Sequence, residues 1–101
     1  VEEQLGAVPD VAFDADAELD YARALALQGK NDQAVQQYAK VVTRYPGEEA
    51  RARFALLLES LGRQDRAQEL YQEIIASVTG APGYYRSRQK EWLQVARQHL
   101  K

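Results

Sequence analysis

Catalysis draws on a small set of side chains, and this chain of 101 residues holds few of them. It has one histidine, His99, and no cysteine. A single imidazole with no thiol and no second histidine makes a poor start for a nucleophile–base pair. The lack of cysteine removes disulfides, thiolate chemistry and Cys-ligated zinc or iron–sulfur sites. The sequence pattern puts His99 in a last helical turn, where the helix dipole favours a cation. Glu48 and Glu49 form an adjacent acid pair, but they fall at a helix start, where acids are expected on electrostatic grounds alone. No glycine-rich phosphate loop, nucleophile motif or EF-hand spacing occurs. The stretch from Tyr84 to Trp92 mixes bases with aromatics, a weak RNA signal on a chain of net charge −2. The expectation is therefore a chain that is not an enzyme, with no cofactor, no metal and no nucleic-acid partner.

A chain of this length is one domain. Apolar residues make up 46% and charged residues 28%, an ordinary balance for a water-exposed globular fold. No apolar run reaches the length of a membrane span, so no membrane insertion by this segment is expected. The compartment is left open. The first residue is Val1, not Met, which reads as a piece of a longer chain. Charge is uneven: residues 1–20 carry seven acids and no base, and residues 80–101 carry five bases and one acid. Acids at the start of a first helix and bases at the end of a last one explain this simply.

Residues 1–13 read as an N-terminal arm or linker. Val8, Val11 and Phe13 alternate as in a short extended segment docked on the body. Asp14 or Asp16 is positioned to cap a first helix from about 15 to 28, with Leu19, Ala22, Leu25 and Ala26 at helical spacing. Gly29 supplies its left-handed end. Asn31 or Asp32 is expected to cap a second helix reaching about Arg44, with Ala34, Val35, Tyr38, Val41 and Val42 as its apolar stripe. Pro46-Gly47 stops it. A third helix opens at Glu48-Glu49 and ends at Gly62; a fourth starts near Asp65 and carries Leu70, Tyr71, Ile74, Ile75 and Val78. After Gly80-Ala-Pro-Gly83, a single last helix spans 84–101, with Tyr85 and Trp92 expected in the core and Tyr84 outside. No segment alternates as a strand does.

The chain repeats itself at an offset of 33 residues. Gly29 recurs as Gly62, Asp32 as Asp65, Ala34 as Ala67, Tyr38 as Tyr71, and Val41-Val42 as Ile74-Ile75. With the pair Tyr21-Ala22 matched by Phe54-Ala55, and with Leu25, Leu58 and Pro46, this resembles the tetratricopeptide repeat, a helix–turn–helix unit of about 34 residues. Thr79 stands where the second closing proline would be. The resemblance implies an all-α, TPR-like α-solenoid: a domain over 14–101, built from repeat 1 (15–47), repeat 2 (48–80) and a C-terminal capping helix (84–101). The alanines let helices approach closely, and the tyrosines fill the space between units, which must stack to bury their stripes.

The resemblance also implies a job. Members of the family grip a peptide or partner helix in a concave groove lined by the first helix of each repeat. By motif position that groove presents Asp16, Leu19, Asp20, Arg23, Ala26 and Leu27 from the first copy, and Glu49, Ala52, Arg53, Leu56, Glu59 and Ser60 from the second. The partner-binding candidates are Asp16, Leu19, Asp20, Arg23, Leu27, Glu49, Arg53, Leu56 and Glu59, and the partner class is protein or peptide. The groove lacks the dense basic set of the chaperone-binding carboxylate clamp. The rival reading is a structural domain that self-associates, as a homodimer burying Leu19 and Leu56.

Overall fold

The computed structural model describes residues 13–101; the expectation for the arm over 1–12 lies outside them. Six α-helices and no strand occur among the described residues: α1 (Ala15–Leu27), α2 (Asn31–Val42), α3 (Glu49–Ser60), α4 (Gln64–Thr79), α5 (Gly83–Arg88) and α6 (Lys90–His99). The fold is all-α and repeat-like. α1 pairs with α2, α3 with α4, the two hairpins stack through α2 and α3, and α6 lies along α4 and touches α3.

Local chemistry explains the first hairpin. Asp14 Oδ1 accepts from the backbone N–H groups of Asp16 and Ala17 at 3.1 and 3.2 Å, satisfying two donors left over at the helix start. At the other end Gly29 takes φ +78°; its N–H reaches the carbonyl of Ala26 and that of Lys30 reaches Leu25. This is a Schellman motif, whose left-handed residue suits glycine. The same turn returns 33 residues later: Gly62 has φ +80°, its N–H reaches Glu59 and that of Arg63 reaches Leu58. Asn31 and Asp32, the residues expected to cap the second helix, do not do so. Lys30 and Arg63 occupy the N-cap positions with no side-chain cap bond, because the tight glycine turn leads straight into the next helix.

The core follows the alanine–aromatic scheme. Ala22, Ala34, Ala55 and Ala67 are fully buried, and each leaves room for a neighbouring helix. Tyr38 stacks on Phe54 between the hairpins, and Tyr71 stacks on His99. α6 thus meets α4 through the same kind of ring contact that α3 makes with α2. The hairpins are not copies throughout. Gln37, the counterpart of the buried Leu70, is itself buried and donates from Nε2 to the Glu18 carbonyl (3.1 Å) and carboxylate (2.8 Å). α4 is four residues longer than α2. Thr79 replaces the proline that halts α2, so the helical hydrogen bonds continue.

The expected single last helix is instead two, with a turn at Gln89. The Gln89 side chain accepts from the backbone N–H of Glu48 at 2.9 Å. Helical periodicity does not register such a tertiary bond. Tyr85 and Trp92 are partly buried and pack on the core, whereas Tyr84 is exposed.

Candidate functional site

The open side of the hairpin stack is a trough between α1 and α3. Its volume is about 330 Å³, and Arg23, Ala26, Leu27, Tyr38, Arg53, Leu56 and Leu57 line it. α1 brings Arg23, Ala26 and Leu27 to one wall because positions three and four apart share a helix face. α3 brings Arg53, Leu56 and Leu57 to the other by the same rule. Tyr38 of α2 contributes from between them, with its ring held by Phe54. Burial raises the Tyr38 hydroxyl pKa above the ordinary tyrosine value, with Arg53 and Arg23 pulling the other way. The hydroxyl is therefore neutral, on a residue that lines the trough together with four apolar side chains and two arginines.

The expected groove residues separate into three groups. Arg23, Leu27, Arg53 and Leu56 line the trough. Leu27 is 88% exposed at its rim, a large apolar side chain left uncovered. Leu19 does not reach this surface. It is 3% exposed and belongs to the core, because its side of α1 faces the helices packed against it. The acids are largely engaged within the protein. Asp16 and Glu49 both lie within reach of the Tyr45 hydroxyl, at 3.1 and 3.3 Å. Asp20 pairs with Arg23 at 3.7 Å and Glu49 with Arg53 at 2.8 Å. Glu59 accepts from the Tyr71 hydroxyl at 2.8 Å and meets His99 Nδ1 at 2.9 Å. Burial, followed by these carboxylate bonds, pushes the Tyr45 and Tyr71 hydroxyls upward, so both stay protonated donors.

The walls therefore hold two cations and no carboxylate, with one acid beside each cation on its own helix. Arg53 also lies over the Trp92 ring, 5.3 Å from its centroid, which ties the α3 wall to α6. Residue spacing did not single out Leu57 or Tyr38 for this site. In the run Leu56-Leu57-Leu58, three successive leucines sweep more than half of the helix circumference, so the period alone assigns none of them to a face. Tyr38 reads as pure core until its edge is seen in the trough.

Stacked helical hairpins, paired alanines and an open trough define a helical-repeat scaffold of the kind that holds other proteins. Residues 16–47 match the family model described as Tetratricopeptide repeat, and the chain carries such a repeat there, with the second hairpin repeating its turn and its packing. Repeats of this family are protein–protein interaction modules and are typically non-catalytic. No curated protein and no solved structure matches the chain. Among the described residues no helix is long and apolar enough to cross a membrane.

Proposed function

We propose that the chain captures a peptide or partner helix in the trough between α1 and α3, by non-covalent contact. The observation that carries this is the uncovered Leu27 at the rim of an apolar trough bounded by Arg23 and Arg53. Apolar side chains give an anchor its driving force, and the two guanidiniums add a preference for a carboxylate beside that anchor. Asp20 holds Arg23 only loosely, in an exposed pair at 3.7 Å, so Arg23 keeps that preference; the part-buried Glu49–Arg53 pair at 2.8 Å makes Arg53 the weaker contributor.

A displayed library of random 12-residue peptides, panned on the chain, tests the reading. Selected peptides should carry an apolar residue next to an acid, and Leu27→Asp or Arg53→Glu should abolish their binding. Binders indifferent to both changes would refute it. Self-association is the second reading, favoured by the exposed Leu27 and by Tyr21, which is 56% exposed. Such a dimer has no use of the buried Leu19. Light scattering separates the two: a tight dimer lost on Leu27→Asp supports self-association, and a monomer supports capture.

A further inference from the structure

α5 buries no residue fully, and α6 buries one, Ala96. The pair is nonetheless held at both ends of α3, each time by a carboxylate. At the start of α3, Glu48 is 2% exposed. Its Oε2 accepts from the Tyr85 hydroxyl of α5 and, at 2.8 Å, from the Ser77 hydroxyl of α4. Its Oε1 takes the Arg51 guanidinium, and its backbone N–H donates to Gln89 Oε1 at 2.9 Å. At the end of α3, Glu59 Oε1 accepts from Tyr71 of α4 and meets His99 of α6. Gln68 of α4 closes the end of the chain: its Nε2 donates to the His99 carbonyl at 3.1 Å and its Oε1 accepts from the Lys101 N–H at 2.7 Å. The two carboxylates stand about 16 Å apart along the helix axis, at 1.5 Å per residue. Each joins the same pair of neighbours, α4 and the last two helices.

We propose that α5 and α6 form a detachable cap, clipped to the body by Glu48 and Glu59, which opens as a unit while α1 to α4 stay folded. Bonds to a carboxylate depend sharply on geometry, so a small displacement breaks several together. The cap also rests Tyr85, Trp92, Leu93, Val95 and Leu100 on the core, all only partly buried, whereas the body relies on buried apolar contact among Leu58, Leu70, Ile74, Val78 and the stacked Tyr38 and Phe54. Segments with few buried apolar contacts open at the lowest free energy. Opening uncovers the Tyr71 ring and withdraws Trp92 from Arg53, so the state of the cap is felt at the trough wall.

Trp92 is the sole tryptophan, which makes its emission a reporter of the cap, while far-ultraviolet circular dichroism follows the helices as a whole. In urea the Trp92 transition is expected to precede the loss of helix. In hydrogen exchange, Tyr85→Phe and Glu59→Gln should each speed the amides of residues 90–99 by about tenfold, the scale of a lost bond to a charged group, and leave those of α1 and α2 unchanged. Tyr85→Phe removes one hydroxyl from the cap side, so the test stands even where a Glu48 variant fails to fold. Coincident fluorescence and dichroism transitions, or exchange that rises equally in α1 and α6, would overturn the proposal.

Discussion

Tyr38 lies nearly flat against Phe54, with ring centroids 5.6 Å apart and planes 7° from parallel. The first ring belongs to the second helix of one hairpin, the second to the first helix of the next. Both are buried, at 3% and 4% exposure, so this pair is the central contact by which the hairpins recognise each other. Truncating either ring to alanine leaves a cavity at the junction and is expected to cost about 3–5 kcal/mol. Stacked pairs add about 0.5–1.5 kcal/mol beyond area burial. Urea unfolding of Tyr38→Ala, Phe54→Ala and the double variant measures both figures. A coupling of zero would mean that the rings merely fill volume.

The twin turns at Gly29 and Gly62 make a second expectation. Both glycines have φ near +80°, and a Cβ at either would meet nothing within 4 Å. Substitution by alanine therefore carries the left-handed backbone penalty alone, about 1–2 kcal/mol. The two losses should be equal and should nearly add, since the one link between the turns is the exposed Arg63–Asp32 pair at 3.9 Å. Chemical denaturation of the single and double variants checks this; strongly unequal costs would show that the two turns are not equivalent.

Alkaline stability follows from the tyrosines. Burial, and then its bond to Glu48, pushes the Tyr85 hydroxyl up to about 12. Tyr38, Tyr45 and Tyr71 are raised as well, burial being the largest cause in each. A folded state that keeps a proton which the unfolded chain gives up near pH 10 loses stability as pH rises past that value. The contribution is complete below pH 10 and is lost between 10 and about 12 for Tyr85. The urea midpoint should be level from pH 8 to 9 and fall from pH 10 upward, less steeply in Tyr85→Phe. A midpoint that holds level to pH 11.5 would contradict this.

Much of the architecture was readable in advance. Asp14, one of two capping candidates, caps α1, and Gly29 and Gly62 form the turns expected of them. The apolar stripes place Ala22, Tyr38, Ala55, Tyr71 and Ile74 in the core. These features are local: a cap, a glycine turn and a helical period each act over about one turn of chain. The candidate site was read less well. Leu19 and Leu27 are both leucines of α1, yet one is 3% and the other 88% exposed. They stand eight residues apart on the same helix, and which of them is covered depends on where α2 and α3 pack, which one helix cannot reveal. Glu48 and Glu49 are the same residue type side by side, and both look like acids at a helix start. The structure buries Glu48 and leaves Glu49 partly exposed, at 27%, beside Arg53.

Residue order alone dictates two helical hairpins joined through glycine turns and stacked through small and aromatic side chains, because periodicity and turn chemistry are written within a few residues of each position. Which leucine of α1 stays uncovered was settled by where α2 and α3 pack. Which acid becomes a buried clip, and where the last helix bends, were settled only when α4, α5 and α6 came together. These last two outcomes depend on partners 29 to 41 residues distant in the chain, such as Ser77, Tyr85 and Gln89 for Glu48 and His99 for Glu59. No local pattern encodes a contact of that range; it exists only once the helices have packed.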